Sequence, residues 1–181
     1  MAVQIGAKLD AGFDDPVGML KDCHRRIENF LRVLCQVAQH RPEGALSAEE
    51  RNAVEAALAY FQTGGQRHNQ DEEESLFPRL RETLGRAELE AIHELETEHG
   101  EAGKLHALVE GIYSGWMASG SLSSEDRQAL LAATDRLQRL YAGHIQIEER
   151  VVFPRAAAVL DAKAIAAIGS EFRARRTQPQ H

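Results

Sequence analysis

The element His-x3-Glu-Glu-x3-Phe-Pro occurs twice in this chain, at residues 68–78 and 144–154. Residues four apart on an α-helix are separated by about 400° of rotation and about 6 Å of rise, so His68 and Glu72 point the same way, as do His144 and Glu148. Both pairs continue apolar stripes at helical spacing: positions 54, 58, 61, 65, 68 and 72, and positions 130, 133, 137, 140, 144 and 148. Two imidazoles and two carboxylates are thereby aimed into a core. A buried carboxylate without a partner is strongly unfavourable, and a pair of metal ions would serve both.

Two further stripes supply matching groups. His24 lies between Leu20 and Ile27, and His99 between Leu95 and Ala102, so each of four helices offers an inward histidine. The intervals are 44 residues from His24 to His68 and 45 from His99 to His144, which extends the repeat to these single histidines. The candidate ligand set is therefore His24, His68, Glu72, His99, His144 and Glu148. Imidazole nitrogen with bridging carboxylate suits iron or manganese, zinc being chemically possible, and Glu72 and Glu148 are the expected bridges. Spacing does not say which histidines share an ion.

Neighbouring residues have secondary roles. Glu73 and Glu149 sit about 100° around the helix from the ligand glutamates and are expected to orient neighbours or line an approach. Glu28, four after His24, reads as a surface or supporting carboxylate, and His106 as a partly buried histidine with a hydrogen-bond partner or a proton relay. Tyr141 stands one turn before His144 where Gly65 stands before His68, which makes one side of the pocket bulky and the other open.

Four long amphipathic helices must carry these groups. Asp15-Pro16 opens the first, which runs to about Gln39 ahead of Pro42 and Gly44. A capping box at Ser47 and Glu50 opens the second, extending to about Leu84 with a weak point at Gly64-Gly65. The third follows Gly85 and ends in a loop over residues 115–124, and Ser123 with Asp126 starts the fourth. Pro78 and Pro154 should kink or stop their helices just before them. Aligning the repeats also matches Phe77 with Phe153, Arg79 with Arg155, Leu84 with Leu160, and Ile92 with Ile168. The fold expected is all-α: an antiparallel up-down four-helix bundle of two pseudo-symmetric hairpins, with a short additional C-terminal helix after Asp161. Residues 1–14 form an N-terminal segment, 15–176 the bundle, and 177–181 a frayed tail that includes His181.

The bulk properties exclude several alternatives. A chain of 181 residues allows one domain with a real core, and five prolines with 6% aromatics argue against a β-sandwich. A net charge of -7 without a basic stripe disfavours nucleic acid and anionic lipid. No apolar run has membrane-spanning length and residues 1–15 contain no signal-peptide core, so the expected location is the cytoplasm. Cys23 and Cys35 would lie about 18 Å apart on one helix, beyond disulfide reach, and are expected to be free thiols. His40 belongs to a loop, and His93 is poorly aimed at the site.

These motifs resemble the hemerythrin-like, HHE cation-binding family over roughly residues 15–175. The resemblance implies a bundle holding two iron ions with an oxo or hydroxo bridge. Oxygen-carrying hemerythrins have a lopsided set of histidines, with His-x3-His on the third helix and His-x4-Asp on the fourth. Here those positions read His99-x3-Gly103 and His144-x3-Glu148. The symmetric set is more similar to the di-iron domains of iron–sulfur cluster repair proteins and of iron- and oxygen-sensing members. The function so implied is binding or reaction of a diatomic or peroxide at a non-haem di-iron site, in oxidative or nitrosative stress or iron handling. The alternative is a sensor or iron store without turnover, with reversible oxygen carriage a more distant reading. Neither the redox partner nor the choice between monomer and homodimer follows from the sequence.

Overall fold

The computed structural model describes residues 10–40, 44–83 and 85–177. The expectations for Pro42, Leu84, residues 1–9 and residues 178–181 lie outside the described residues.

The described chain is helical throughout, in five rods. The first is α1 (Pro16–His40); Asp15 Oδ1 accepts from the Gly18 N–H at 2.9 Å, as an N-cap should. The second is built end to end from α2 (Ala48–Tyr60), α3 (Gln66–Asp71) and α4 (Phe77–Arg81). Its capping box is formed: Ser47 Oγ accepts from the Glu50 N–H at 3.2 Å and Glu50 Oε2 from the Ser47 N–H at 2.8 Å. α5 (Arg86–Ser119) is the third rod, and α6 (Ser124–Ile147) with α7 (Phe153–Val159) make the fourth. α8 (Ala162–Thr177), at 16 residues, is longer than the short terminal helix expected, and takes in Thr177 from the supposed tail.

Two boundaries differ from the sequence reading for identifiable reasons. The third rod does not end at Gly115 but runs to Ser119, because Trp116 is buried and its indole N–H donates to the Gly44 carbonyl at 2.8 Å, holding the last turn in place. Gly120 then stops it in the left-handed region at φ 71°, where a side chain would be strained. The prolines, for their part, do not stop their helices. Each is preceded by a π-type turn, Glu72–Leu76 or Glu148–Val152, in which the Phe77 N–H donates to the Glu72 carbonyl and the Phe153 N–H to that of Glu148. The wider i to i−5 turn relieves the clash a proline ring makes with the carbonyl four residues back. A third such turn, Phe61–Gly65, falls at the Gly64-Gly65 weak point.

α1 packs on α2 and α6, and α5 packs on α6 and α2, which closes the antiparallel four-helix bundle. α8 lies across α1, α3 and the Glu72–Leu76 turn. Its Gly169 passes so close to the Phe13 carbonyl that a Cβ would collide with it. The core is split in two. One cluster, around Ile27, Leu34, Val54, Val109, Trp116 and Leu137, fills one end, while Leu20, Phe77, Leu95, Phe153, Ile168 and Phe172 fill the other. The layer between them is polar.

Candidate metal centre

That layer consists of the six residues singled out by spacing. His24, His68, Glu72, His99, His144 and Glu148 are all buried, with both glutamates 0% exposed. The i, i+4 geometry of α3 and α6 brings His68 Nε2 within 3.5 Å of Glu72 Oε2, and His144 Nε2 within 3.2 Å of Glu148 Oε1. The carboxylates also reach across: Glu72 Oε2 is 3.5 Å from His99 Nε2, and Glu148 Oε2 is 3.0 Å from His24 Nε2. Two overlapping groups result, His24–His68–Glu72–Glu148 and Glu72–His99–His144–Glu148, each with one donor atom per residue and all of these within 4.8 Å of one another. The histidines thus pair within each hairpin, which spacing had left open, and both glutamates span the two groups.

Three histidines are held from behind. His24 Nδ1 lies 2.9 Å from Glu149 Oε1, His99 Nδ1 2.7 Å from Glu73 Oε1, and His144 Nδ1 2.8 Å from Glu98 Oε2. An ionised carboxylate only accepts, so each Nδ1 carries the proton, and in the neutral ring Nε2 presents a lone pair inward. Glu73 and Glu149 thereby take the orienting position expected of them. Glu98 was not singled out, since nothing in its own helix's pattern marks a carboxylate whose partner lies on another helix. Glu28, His40 and His93 are exposed and apart from the cluster.

Several features show a donor set that fits cations. His99 Nε2 and His144 Nε2 face each other at 3.1 Å, and although burial works against a charge on His144, the Glu148 and Glu98 carboxylates beside it outweigh burial and raise it, so positive charge is favoured at this point of the layer. Both oxygens of Glu72 and of Glu148, together with His24 Nε2, are buried without a well-aligned hydrogen-bond partner among the described residues. Burial, and then the neighbouring Glu148, push the Glu72 carboxyl well above its ordinary range. For Glu148, burial works against ionisation, but the His144 and His24 imidazoles outweigh it and hold this carboxyl low. Burial and the adjacent His24 push His68 well below the usual imidazole value, so it is neutral. Metal coordination takes neutral imidazole and ionised carboxylate, and a cation in this layer would favour the ionised form of Glu72.

A cavity of about 170 Å³ lies to one side of this layer, bounded by Phe61, Gly65, Asn69, Gly103, His106 and Tyr141 among others. Gly65 and Tyr141 precede His68 and His144 by one turn, and Gly103 follows His99 by one turn, so the cavity lies one helical turn from three of the histidines. His106 shares a 3.0 Å hydrogen bond with the Tyr141 hydroxyl and stacks on Phe61, and burial lowers it to about 4.

A second buried polar cluster was not anticipated. Asp71, 0% exposed and next to Glu72, accepts from Arg175 Nε at 2.9 Å and from Arg176 at 2.7 Å, which ties α8 to the site-bearing rod. The cysteines are free. Cys35 Sγ faces the Thr134 carbonyl of α6, and Cys23 Sγ accepts from Arg26 at 3.6 Å.

The family model for the hemerythrin HHE cation-binding domain matches residues 15–156. An uncharacterised protein of Haemophilus influenzae is 28% identical over 171 residues, covering 92% of each chain. No described helix is long and apolar enough to cross a membrane.

Proposed function

The chain belongs to the hemerythrin HHE cation-binding family, and from that premise we propose that it is a cytoplasmic non-haem di-iron protein that binds or reacts with oxygen, peroxide or nitric oxide in stress or iron handling. The observation that carries the reading is the pair of overlapping four-residue groups sharing both carboxylates. His24 and His68 would hold one ion, His99 and His144 the other, with Glu72 and Glu148 across both. A pair of irons so held supplies one- and two-electron redox chemistry at coordination positions the six protein ligands leave open.

The chain's own residues do the rest. Glu149, Glu73 and Glu98 fix three imidazoles with Nε2 inward, so the ligands need little reorganisation. The apolar clusters above and below the layer keep bulk water out. The cavity beside Gly65 and Gly103 lies one helical turn from three of the histidines, where a molecule of a few atoms would approach from one side, and the Tyr141 hydroxyl hydrogen-bonded to His106 puts a proton-bearing group at its edge. This one-sided approach supports small-molecule reaction over simple storage.

Stopped-flow mixing of the reduced, iron-loaded protein with oxygen, hydrogen peroxide and nitric oxide is the test. Reaction with at least one of them faster than with free ferrous iron is expected. If none outpaces free iron while chelation sharply lowers the melting temperature, iron serves to sense or stabilise, and the reactive reading fails.

A further inference from the structure

The two halves of the metal layer are alike in ligands but not in what stands behind them. Under the pseudo-two-fold relation that exchanges α1 with α5 and the second rod with the fourth, the contact of His24 with Glu149 maps onto that of His99 with Glu73. The contact of His144 with Glu98 should likewise map onto one between His68 and the residue preceding His24. That residue is Cys23. Its thiol is engaged by Arg26, and His68 Nδ1 is left buried with no hydrogen-bond partner among the described residues.

A carboxylate behind a histidine ligand fixes its tautomer, orients the ring and makes the inward nitrogen a better donor, and losing such a partner costs about 10- to 100-fold in metal affinity. Both histidines of the His99–His144 group have one, at 2.7 and 2.8 Å. In the other group only His24 does. Resting on the metal-binding reading above, we infer that the two positions are a tight and a labile one: the His99–His144 position fills first, and the His24–His68 position fills second and empties first. Cys23 in place of a glutamate is the sequence difference that sets the order, and metal supply would then switch the protein between one-ion and two-ion forms.

The test loads the full-length apoprotein anaerobically with ferrous iron. With one equivalent per chain, anomalous scattering from crystals should place iron predominantly beside His99 and His144. Titration should give a first step about tenfold or more tighter than the second. Because two ions sharing two carboxylates could also bind in steps, two variants assign them. Glu98 and Glu149 are partly exposed, so Glu98→Ala and Glu149→Ala leave the fold intact. Glu98→Ala should weaken the first step about tenfold or more and leave the second nearly unchanged, while Glu149→Ala should do the reverse. Equal occupancy at one equivalent, iron first beside His24 and His68, or the variants acting on the opposite steps would each overturn the inference while leaving the metal site standing. No iron bound at all would overturn both.

Discussion

Replacing Arg175 and Arg176 together by methionine removes the two cations that hold Asp71 and keeps most of their packing volume. The Asp71 carboxylate is 0% exposed and takes Arg175 at 2.9 Å and Arg176 at 2.7 Å. Breaking a buried ion pair from one side costs about 3–5 kcal/mol, because the remaining charge is left without water or counter-ion. The arginines are 17% and 23% exposed, so some water can enter, and the lower end, about 3 kcal/mol, is expected. For a domain of this size about 2–4 °C of melting temperature goes with each kcal/mol, which gives a fall of about 6–12 °C. Thermal and urea unfolding followed by circular dichroism, on metal-free protein so that metal linkage does not enter, measures it. Adding Asp71→Asn to the double variant discharges the stranded group and should recover most of the loss. A fall of under about 2 °C, or no recovery on adding Asp71→Asn, would refute the idea that α8 is fastened through this carboxylate.

Three other perturbations follow from the geometry. His106 is lowered to about 4 by burial, against an ordinary value of 6.5, so below pH 6.5 the unfolded chain takes up a proton that the folded one refuses. Stability is therefore full above pH 6.5 and falls as pH drops toward 4, by about 1–2 kcal/mol at pH 5 after allowance for its partial exposure. His106→Gln should flatten that part of the pH–stability curve of the metal-free protein, and parallel curves would count against it. Gly103→Leu places a side chain where a Cβ meets nothing within 4 Å, at the edge of the cavity. It should raise helix stability by up to about 1 kcal/mol, retain the metal and slow reaction with peroxide severalfold, whereas an unchanged rate would show that small molecules enter elsewhere. Gly169→Ala drives a methyl group into the Phe13 carbonyl, and unfolding in urea should register a loss of about 1–3 kcal/mol.

The helices and the inward set of His24, His68, Glu72, His99, His144 and Glu148 were legible because they depend on one periodicity, and a stripe of apolar residues interrupted by histidine or glutamate at i, i+4 says where those groups point. Ser47–Glu50 and Ser123–Asp126 were legible for a similar reason, since a cap acts over three residues. What stayed hidden depends on partners remote in sequence. Glu98 looks like any helix-surface glutamate until α6 lays His144 against it. Asp71 shows no reason to be buried until α8, a hundred residues on, brings Arg175 and Arg176 to it. The prolines pointed to a kink or a stop, and a single widened turn before each carries the helix on into Phe77 and Phe153, both buried in the second core cluster. Gly115 likewise signalled an end that the buried Trp116 overrode.

Iron content is the most direct measure of the buried histidine–glutamate layer. Protein purified from iron-replete cells, analysed for metal by mass spectrometry against an amino-acid-based protein concentration, should contain about two irons per chain, and His68→Ala and His144→Ala should each lower that figure. Metal-free protein, or full occupancy retained in either variant, would contradict the assignment of the buried histidine–glutamate layer as a two-metal site.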